Sequence, residues 1–370
     1  MKLKPSYLIL ETGEIYTGVG YGADTNTIGE LVFNTSMTGY QEVITDPSYK
    51  GQIIIFTYPH IGNIGTCNYD NESAQTWLKA IITRELPTNP SNWRNEKSFE
   101  KYLLDNKLSG FAKIDTRKLT KKIRNSGNLI GMVVKDKIEE NEAYKQIIKY
   151  KDNLDSKSLF SSYERVSPLL NYNYYSDNKG TELFHVVVID FGCKISILNV
   201  LRKSNCRISV LNYDCLPSKI TDLQPDAIIL SNGPGNPLSY SGAIDLIKEI
   251  IKEQIPILGI CLGHQLLGIA LGAEIQKLQF GHHGINHPVK DLATNKVFIT
   301  SQNHNYVINK MKLPSTIDVT HLSLFDQTIQ GFTHKNSLLV GFQGHAEGGP
   351  GPIDIQSNII AKFLNSVFTT

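Results

Sequence analysis

The sequence predicts an α/β protein: an N-terminal mixed β/α domain followed by a domain built on an open, mainly parallel sheet. The chain has 370 residues, which is enough for two domains of ordinary size. From residue 184 onwards, short apolar runs rich in β-branched residues alternate with stretches of helical spacing, a pattern typical of parallel strands joined by helices. The predicted division is 1–150 for the first domain, 151–183 for a polar linker and 184–370 for the second.

Composition excludes several functional classes. The formal net charge of +2 is too small to indicate nucleic-acid or membrane-surface binding. The five cysteines are scattered, odd in number and form no C-x-x-C pair, which favours a reducing compartment over a disulfide framework. We find no apolar stretch of about 18 residues, so no membrane-spanning helix is expected.

The first domain shows strand and helix signals in turn. Tyr7–Leu10 and Ile15–Val19 flank a Thr-Gly turn and predict a hairpin. Gln52–Tyr58 is a buried-strand run. Helical spacing predicts helices over Glu72–Leu86 and Thr116–Asn125, the second capped by its own first residue.

In the second domain, active-site residues are expected at the carboxyl ends of the strands, as in other open parallel sheets. Three loops follow strands there: after Ile229, after Ile260 and after Phe342. The elements that support this sheet are the strands HVVVID, RISVLN, AIIL and PILGI, and the helices Ile195–Lys203, Ala243–Glu253 and a third ending at Leu271.

The segment GICLGHQ predicts a nucleophile elbow with cysteine in the place of serine. An apolar strand runs directly into Cys261, a helix follows, and Gly259 and Gly263 leave room for a tight turn. A helix N-terminus favours a thiolate, and the Leu262 N–H could face an oxyanion. A buried structural cysteine is the alternative. Among the other cysteines only Cys193 is a rival, and it lacks paired glycines.

A base is predicted in the segment FQGHAE. His345 follows an apolar strand, and Glu347 is close enough in sequence to orient its ring. The alternative is a surface pair in a polar loop. Three further histidines form the pattern H-H-x-x-x-H, but without a nearby acidic or cysteine ligand a metal site is not expected. These three are His282, His283 and His287, while His304 lies in a segment that could line the site.

The loop SNGPGNP follows the strand AIIL and is a candidate second half of an oxyanion site. Its glycines and prolines make a rigid turn with exposed N–H groups. A phosphate-binding loop is less well supported because no G-x-x-x-x-G-K-[ST] pattern is present. We therefore expect the Gly235 N–H as a second donor beside Leu262.

These segments together carry a family resemblance. LSNGPGNP, GICLGHQ and GHAE resemble the class I glutamine amidotransferases. FNTSMTGYQEVITDPSYKGQ, TYPHIGNIG and IDTRKLT in the first domain, with VIDFGCK, FGHHGINHPV and SQNHNYVI in the second, resemble the small subunits of carbamoyl-phosphate synthases. The resemblance extends from Tyr7 to about Phe363 and is weakest around residues 136–183.

The resemblance implies a catalytic triad of Cys261, His345 and Glu347 that hydrolyses L-glutamine. It also implies residues that hold the substrate, one of them, Ser48, from the first domain. From the residues alone Ser48 is an ordinary turn residue. The implied glutamine contacts are Ser48, Gly233, Gly235, Leu262, Gln265, Asn303, Asn305 and Tyr306.

The resemblance further implies a large synthetase subunit as partner. Ammonia would pass to that subunit, which uses ATP, magnesium and bicarbonate to make carbamoyl phosphate for arginine and pyrimidine synthesis. No cofactor is expected in this chain. A heterodimer or a higher oligomer of heterodimers is expected, in a bacterial cytoplasm or a plastid stroma.

Two positions depart from the family pattern. Ala346 stands where the family usually has proline, and we expect retained activity because proline supplies no catalytic atom there. Asn305 replaces a common glycine, which matters if that position has a positive φ.

Three other functions compete with this interpretation. The chain could serve another amidotransferase, such as one for anthranilate or GMP synthesis, although the first domain argues against that. It could be a stand-alone cysteine hydrolase acting on esters or peptides. It could also be a catalytically silent scaffold, which the intact set of cysteine, histidine and glutamate disfavours.

Overall fold

A computed structural model of the chain describes residues 4–86, 89–135, 139–155, 173–174 and 184–369. The chain divides into two compact units. The first comprises Met1–Glu164 with Gln279–His283, and the second comprises Arg165–Leu278 with Gly284–Thr370. The predicted boundaries at 150 and 184 stay predictions, because most of the stretch 151–183 lies outside the described residues.

The first unit contains a closed β-barrel. Its strands follow one another around the barrel in the order β1-β2-β6-β5-β4-β3-β7, with β7 returning to β1. The predicted hairpin is confirmed, since β1 and β2 pair antiparallel with Leu8 opposite Tyr16. The strands are β1 (Lys4–Leu10), β2 (Ile15–Gly22), β3 (Thr27–Asn34), β4 (Gln52–Phe56), β5 (Ala80–Ile82), β6 (Ser109–Ala112) and β7 (Leu129–Val134).

One helix predicted in this unit is wrong. Over Glu72–Leu86 the structure has turns and strand β5, whose three residues are completely buried between neighbouring strands. The backbone there bonds to distant segments, as when Lys79 N–H donates to Gln52 O, instead of to residues one helical turn back. Burial of a β-branched run between β4 and β6 therefore outweighs the helical spacing.

The other predicted helix of this unit is confirmed, but its cap is not Thr116. The Asp115 carboxylate accepts the Lys118 N–H at 2.9 Å, so Asp115 is the N-cap, and Thr116 is the first helical residue. The helices of the first unit are α1 (Tyr40–Thr45), α2 (Phe99–Asp105), α3 (Thr116–Ser126) and α4 (Glu140–Asp155).

The second unit contains an open 10-stranded sheet in the order β14-β13-β15-β16-β17-β12-β11-β9-β10-β8. The predicted parallel sheet is confirmed for β17, β12, β11, β9 and β10, while β16, β15 and β13 continue it antiparallel. The strands are β8 (Asn173–Tyr174), β9 (Phe184–Asp190), β10 (Cys206–Asn212), β11 (Ala227–Leu230), β12 (Ile257–Ile260), β13 (Ile275–Asp291), β14 (Val297–Ile308), β15 (Ile317–Ser323), β16 (Ile329–His334) and β17 (Leu339–Phe342).

Helices cover both faces of the parallel strands. Val186 and Val188 of β9 belong to one apolar cluster, and Val187 and Ile189 belong to another on the opposite face. Because both faces are buried, the strand is apolar at every position from 186 to 189. The helices are α5 (Ile195–Lys203), α6 (Pro217–Thr221), α7 (Ser241–Lys252), α8 (Leu262–Ala270), α9 (Asp354–Gln356) and α10 (Lys362–Phe368), with a π-helical turn at Ser357–Ala361. Within the described ranges, none of the helices is both long and apolar enough to cross a bilayer.

Candidate active site

Cys261 occupies the turn between strand β12 and helix α8. Its φ of 54° and ψ of −104° are strained for a residue with a side chain. The turn is held because the Cys261 N–H donates to Phe342 O at 2.9 Å. Cys261 is therefore anchored to the neighbouring strand β17 at the carboxyl edge of the sheet.

The two flanking glycines are required by crowding at this turn. A Cβ at Gly259 would lie 2.5 Å from Gly263 O, and a Cβ at Gly263 would lie 2.1 Å from Leu230 O. Both contacts are with backbone, which has little freedom to move away. The glycine spacing of the segment thus has a steric cause, the close packing of helix α8 on the strand ends.

His345 reaches the same edge through the register of the sheet. Ile260 and Phe342 are paired neighbours in β12 and β17, so Cys261 and His345 follow adjacent strand ends. The His345 N–H donates to Ser301 O at 2.9 Å, and its Nδ1 lies 2.7 Å from Oε1 of Glu347. This bond fixes the ring so that Nε2 is the nitrogen left to act.

The imidazole of His345 is electrostatically coupled to the sulfur and to the carboxylate. Burial alone would lower the pKa of His345, but the Glu347 charge and the Cys261 side chain outweigh it and raise that pKa to about 10. The buried Nε2 makes no hydrogen bond of ordinary geometry among the described residues. The raised pKa therefore favours the protonated imidazole at neutral pH.

Lys194 completes a buried charge cluster that sequence reasoning missed. Its Nζ lies 2.9 Å from Oε1 of Glu347 and donates to Gly348 O at 2.8 Å. Burial tends to raise the pKa of Glu347, yet Lys194 and His345 reverse that effect and lower it to about 2. The sequence shows Lys194 directly after the rival Cys193. Its position in the sequence does not indicate that it pairs with Glu347, 153 residues further along the chain.

Polar side chains also surround the sulfur. Sγ of Cys261 lies 3.5 Å from Asn303 O, and Gln343 Nε2 lies 3.8 Å from the same sulfur. Gln265 in turn donates from its Nε2 to Tyr306 O at 2.7 Å and to Gln343 Oε1 at 3.1 Å. Cys261 is thus linked by polar contacts to strand β14 and, through Gln343 and Gln265, to helix α8.

The loop after β11 is packed closely on the elbow. A Cβ at Gly233 would lie 2.5 Å from Phe191 O and 2.9 Å from a Leu262 methyl carbon. Tyr240 donates its hydroxyl to Pro234 O at 2.9 Å, and Gly235 has a φ of 89°. The Tyr240 bond therefore restrains the peptide unit that carries the Gly235 N–H.

The structure brings most predicted glutamine contacts into one unit. Leu262 and Gln265 begin helix α8, and three others lie on strand β14. Asn305 is one of these; its φ is not positive, so no left-handed conformation is needed there. Ser48 belongs to the first unit, where it follows the Asp46 cap, and its role stays a prediction. The residues on β14 are Asn303, Asn305 and Tyr306.

Other histidines are explained by packing or by structural bonds. His264 is completely buried against Phe332, and burial lowers its pKa to about 3. His304 bonds to Tyr306 O and to Gln302 Oε1. Among the described residues, no group of three or more His, Cys, Asp or Glu side chains is arranged to hold a metal ion.

A parallel α/β sheet with a cysteine at its elbow and an acid-supported histidine at the next strand end defines a class of protein. Residues 187–365 match the family model of the class-I glutamine amidotransferases. Residues 8–133 match the model described as carbamoyl-phosphate synthase small chain, CPSase domain.

Curated relatives narrow the class. The chain is 46% identical to the carbamoyl phosphate synthase small chain of Buchnera aphidicola subsp. Acyrthosiphon pisum over 357 residues. The matched region covers 94% of this chain and 92% of that protein. It is 46% identical to the small chain of Wigglesworthia glossinidia brevipalpis, covering 99% and 96%. With that of Pseudomonas putida it shares 43% identity, covering 95% and 96%. The chain belongs to the carbamoyl phosphate synthase small chain family.

Proposed function

We propose that this chain is the glutaminase of a carbamoyl-phosphate synthase, with Cys261 as nucleophile, His345 as proton carrier and Glu347 as its orienting acid. The observation that carries the proposal is the buried arrangement in which one carboxylate holds Nδ1 of His345 while the imidazole is coupled to the Cys261 side chain. This is the order of groups that nucleophilic acyl transfer requires.

Charge balance supports an ion pair in the resting site. Lys194 and an imidazolium at His345 are two buried cations, and Glu347 supplies only one negative charge. A thiolate at Cys261 provides the second and brings the buried cluster to neutrality. The sulfur then needs no separate base to remove its proton before attack.

The reaction proceeds in two acyl-transfer steps. The sulfur attacks the side-chain carbonyl carbon of glutamine, and the oxyanion is stabilised by the N–H groups of Leu262 and Gly235. His345 gives its Nε2 proton to the departing nitrogen, the C–N bond breaks, and ammonia leaves a thioester. Water then attacks the thioester, His345 takes back a proton, and glutamate leaves as the C–S bond breaks.

Substrate binding is assigned to groups around the elbow. Gly233, Gln265 and the three β14 residues Asn303, Asn305 and Tyr306 are proposed to supply donors and acceptors for the glutamine backbone and amide. Ser48 is proposed to add a contact from the first domain. No cofactor is required in this chain, because thiol, imidazole and carboxylate perform every step.

The partner is a large synthetase chain, and the relatives named as small chains support its existence. That chain would accept ammonia and use ATP, magnesium and bicarbonate to form carbamoyl phosphate for arginine and pyrimidine synthesis. This chain and the large synthetase chain would form a heterodimer or an oligomer of heterodimers. The assembly would be located in a bacterial cytoplasm or a plastid stroma. Recovery of a large ATP-using protein with the tagged chain from native extract tests this.

The decisive experiment is Cys261→Ala in the complex with its partner. Glutamine-dependent synthesis should disappear, while synthesis from added ammonia continues, because the chemistry with ammonia belongs to the partner. Full glutaminase activity in the variant would overturn the assignment of the nucleophile. Fast turnover of glutamine by the isolated chain, unchanged by the partner, would instead favour a stand-alone hydrolase.

A further inference from the structure

The side chain of Gln343 is buried beside the nucleophile and has no part in the triad. Gln343 is the first residue after strand β17 and is completely buried. Its backbone N–H donates to Gln330 O at 2.9 Å, which fixes where the side chain starts. Its Nε2 lies 3.8 Å from Sγ of Cys261, a contact within hydrogen-bonding range for sulfur.

The orientation of this amide follows from its neighbours. Tyr306 O is a backbone carbonyl and can only accept, so the nitrogen of the Gln265 amide must face it at 2.7 Å. The same nitrogen lies 3.1 Å from the Gln343 amide, which must therefore present its oxygen to Gln265. The remaining half of the Gln343 amide, its NH₂ group, then faces the sulfur.

An N–H donor aimed at sulfur favours the anionic form, because a thiolate accepts hydrogen bonds far better than a neutral thiol. We propose that Gln343 is a further catalytic residue, whose side-chain N–H stabilises the Cys261 thiolate while Gln265 holds the amide in place. The inference rests on the proposed role of Cys261 and adds a side-chain donor to the backbone of the helix N-terminus.

Other titratable groups also influence the sulfur. His345 interacts with it directly, with Glu347 and Lys194 behind the imidazole. The remaining titratable side chains of the described helix α8 and strand β14 are His264, His304 and Tyr306. Replacement of Gln343 leaves all six groups in place, so a change in thiolate formation in such a variant is assigned to the lost N–H.

The test is alkylation of Cys261 by iodoacetamide as a function of pH in the full chain, followed by mass spectrometry of the Cys261 peptide. In Gln343→Leu the midpoint of the pH–rate curve should move up by about one pH unit. In Gln343→Glu it should move up at least as far, because the carboxylate keeps an acceptor for Gln265 but offers no N–H to sulfur.

Gln330→Leu is the matched control. Gln330 is equally buried, and its side-chain NH₂ donates to Thr328 instead of to sulfur. It should leave the midpoint unchanged. Lower alkylation rates with an unmoved midpoint in both Gln343 variants would overturn the inference, because they indicate a packing role alone.

Failure of this inference is distinguishable from failure of the proposed function. If Cys261→Ala still hydrolyses glutamine, the assignment of the nucleophile is wrong and the inference falls with it. If Cys261→Ala is inactive while the Gln343 variants keep the midpoint of the unaltered chain, only the role of Gln343 is wrong.

Discussion

Nζ of Lys194 lies 2.9 Å from Oε1 of Glu347, and both side chains are almost completely removed from solvent, at 1% and 0% exposure. The same carboxylate oxygen lies 2.7 Å from Nδ1 of His345. One buried atom therefore receives two donors. This explains how an acid deep in an α/β domain stays ionised and holds the imidazole in one orientation.

Lys194→Met should destabilise the protein, because it leaves the buried Glu347 charge without its ammonium partner. We expect a loss of about 3–5 kcal/mol in the free energy of unfolding, measured by urea denaturation. Lys335→Met is the control, since Lys335 and Asp318 form an exposed pair at 3.6 Å. That change should cost no more than about 1 kcal/mol. Equal losses in the two variants would contradict the buried role of Lys194.

Glu347→Gln should lower the pKa of His345 from its raised value of about 10. Burial lowers this pKa, and the Glu347 charge that mainly opposes burial is absent from the variant. Less imidazolium is present at neutral pH, so glutamine hydrolysis should fall. The alkaline limb of the kcat/KM–pH profile should also move to lower pH. An unchanged alkaline limb with reduced activity would argue that Glu347 acts only on ring orientation.

Gly263→Ala should disrupt the elbow, since its Cβ would lie 2.1 Å from Leu230 O. We expect a loss of about 1–3 kcal/mol in stability and a fall in glutaminase activity, measured in the same preparations. Gly242→Ala in helix α7 is the matched control, because a Cβ at Gly242 would have no neighbouring atom within 4 Å. It should leave activity unchanged and gain up to about 1 kcal/mol. Normal activity in Gly263→Ala would show that the turn is less crowded than its geometry indicates.

The raised pKa of His345 predicts a pH dependence of stability. A group whose pKa is higher in the folded state adds stability that is fully present below its unfolded value of 6.5. That contribution is lost as pH rises towards about 10. Free energies of unfolding from pH 6 to 10 should therefore fall more steeply in the unaltered chain than in His345→Gln. Parallel curves for the two proteins would contradict the shift.

Much of the second domain could be predicted locally. Helix Ile195–Lys203 matches its predicted bounds, because its apolar spacing coincides with the face it buries. The elbow was visible because paired glycines around a cysteine have a steric cause within a few residues. The helix predicted over Glu72–Leu86 failed for the opposite reason. Strand β5 forms only because β4 and β6 lie on either side of it.

The sequence by itself determined the alternation of strands and helices, the crowded turn at Cys261 and the pairing of His345 with a nearby acid. Those features depend on residues close together in the chain. Only the tertiary structure decided that Lys194 neutralises Glu347 and that Gln343 faces the sulfur. These contacts join side chains that follow the ends of different strands, and the sheet register that brings them together depends on the packing of the whole domain.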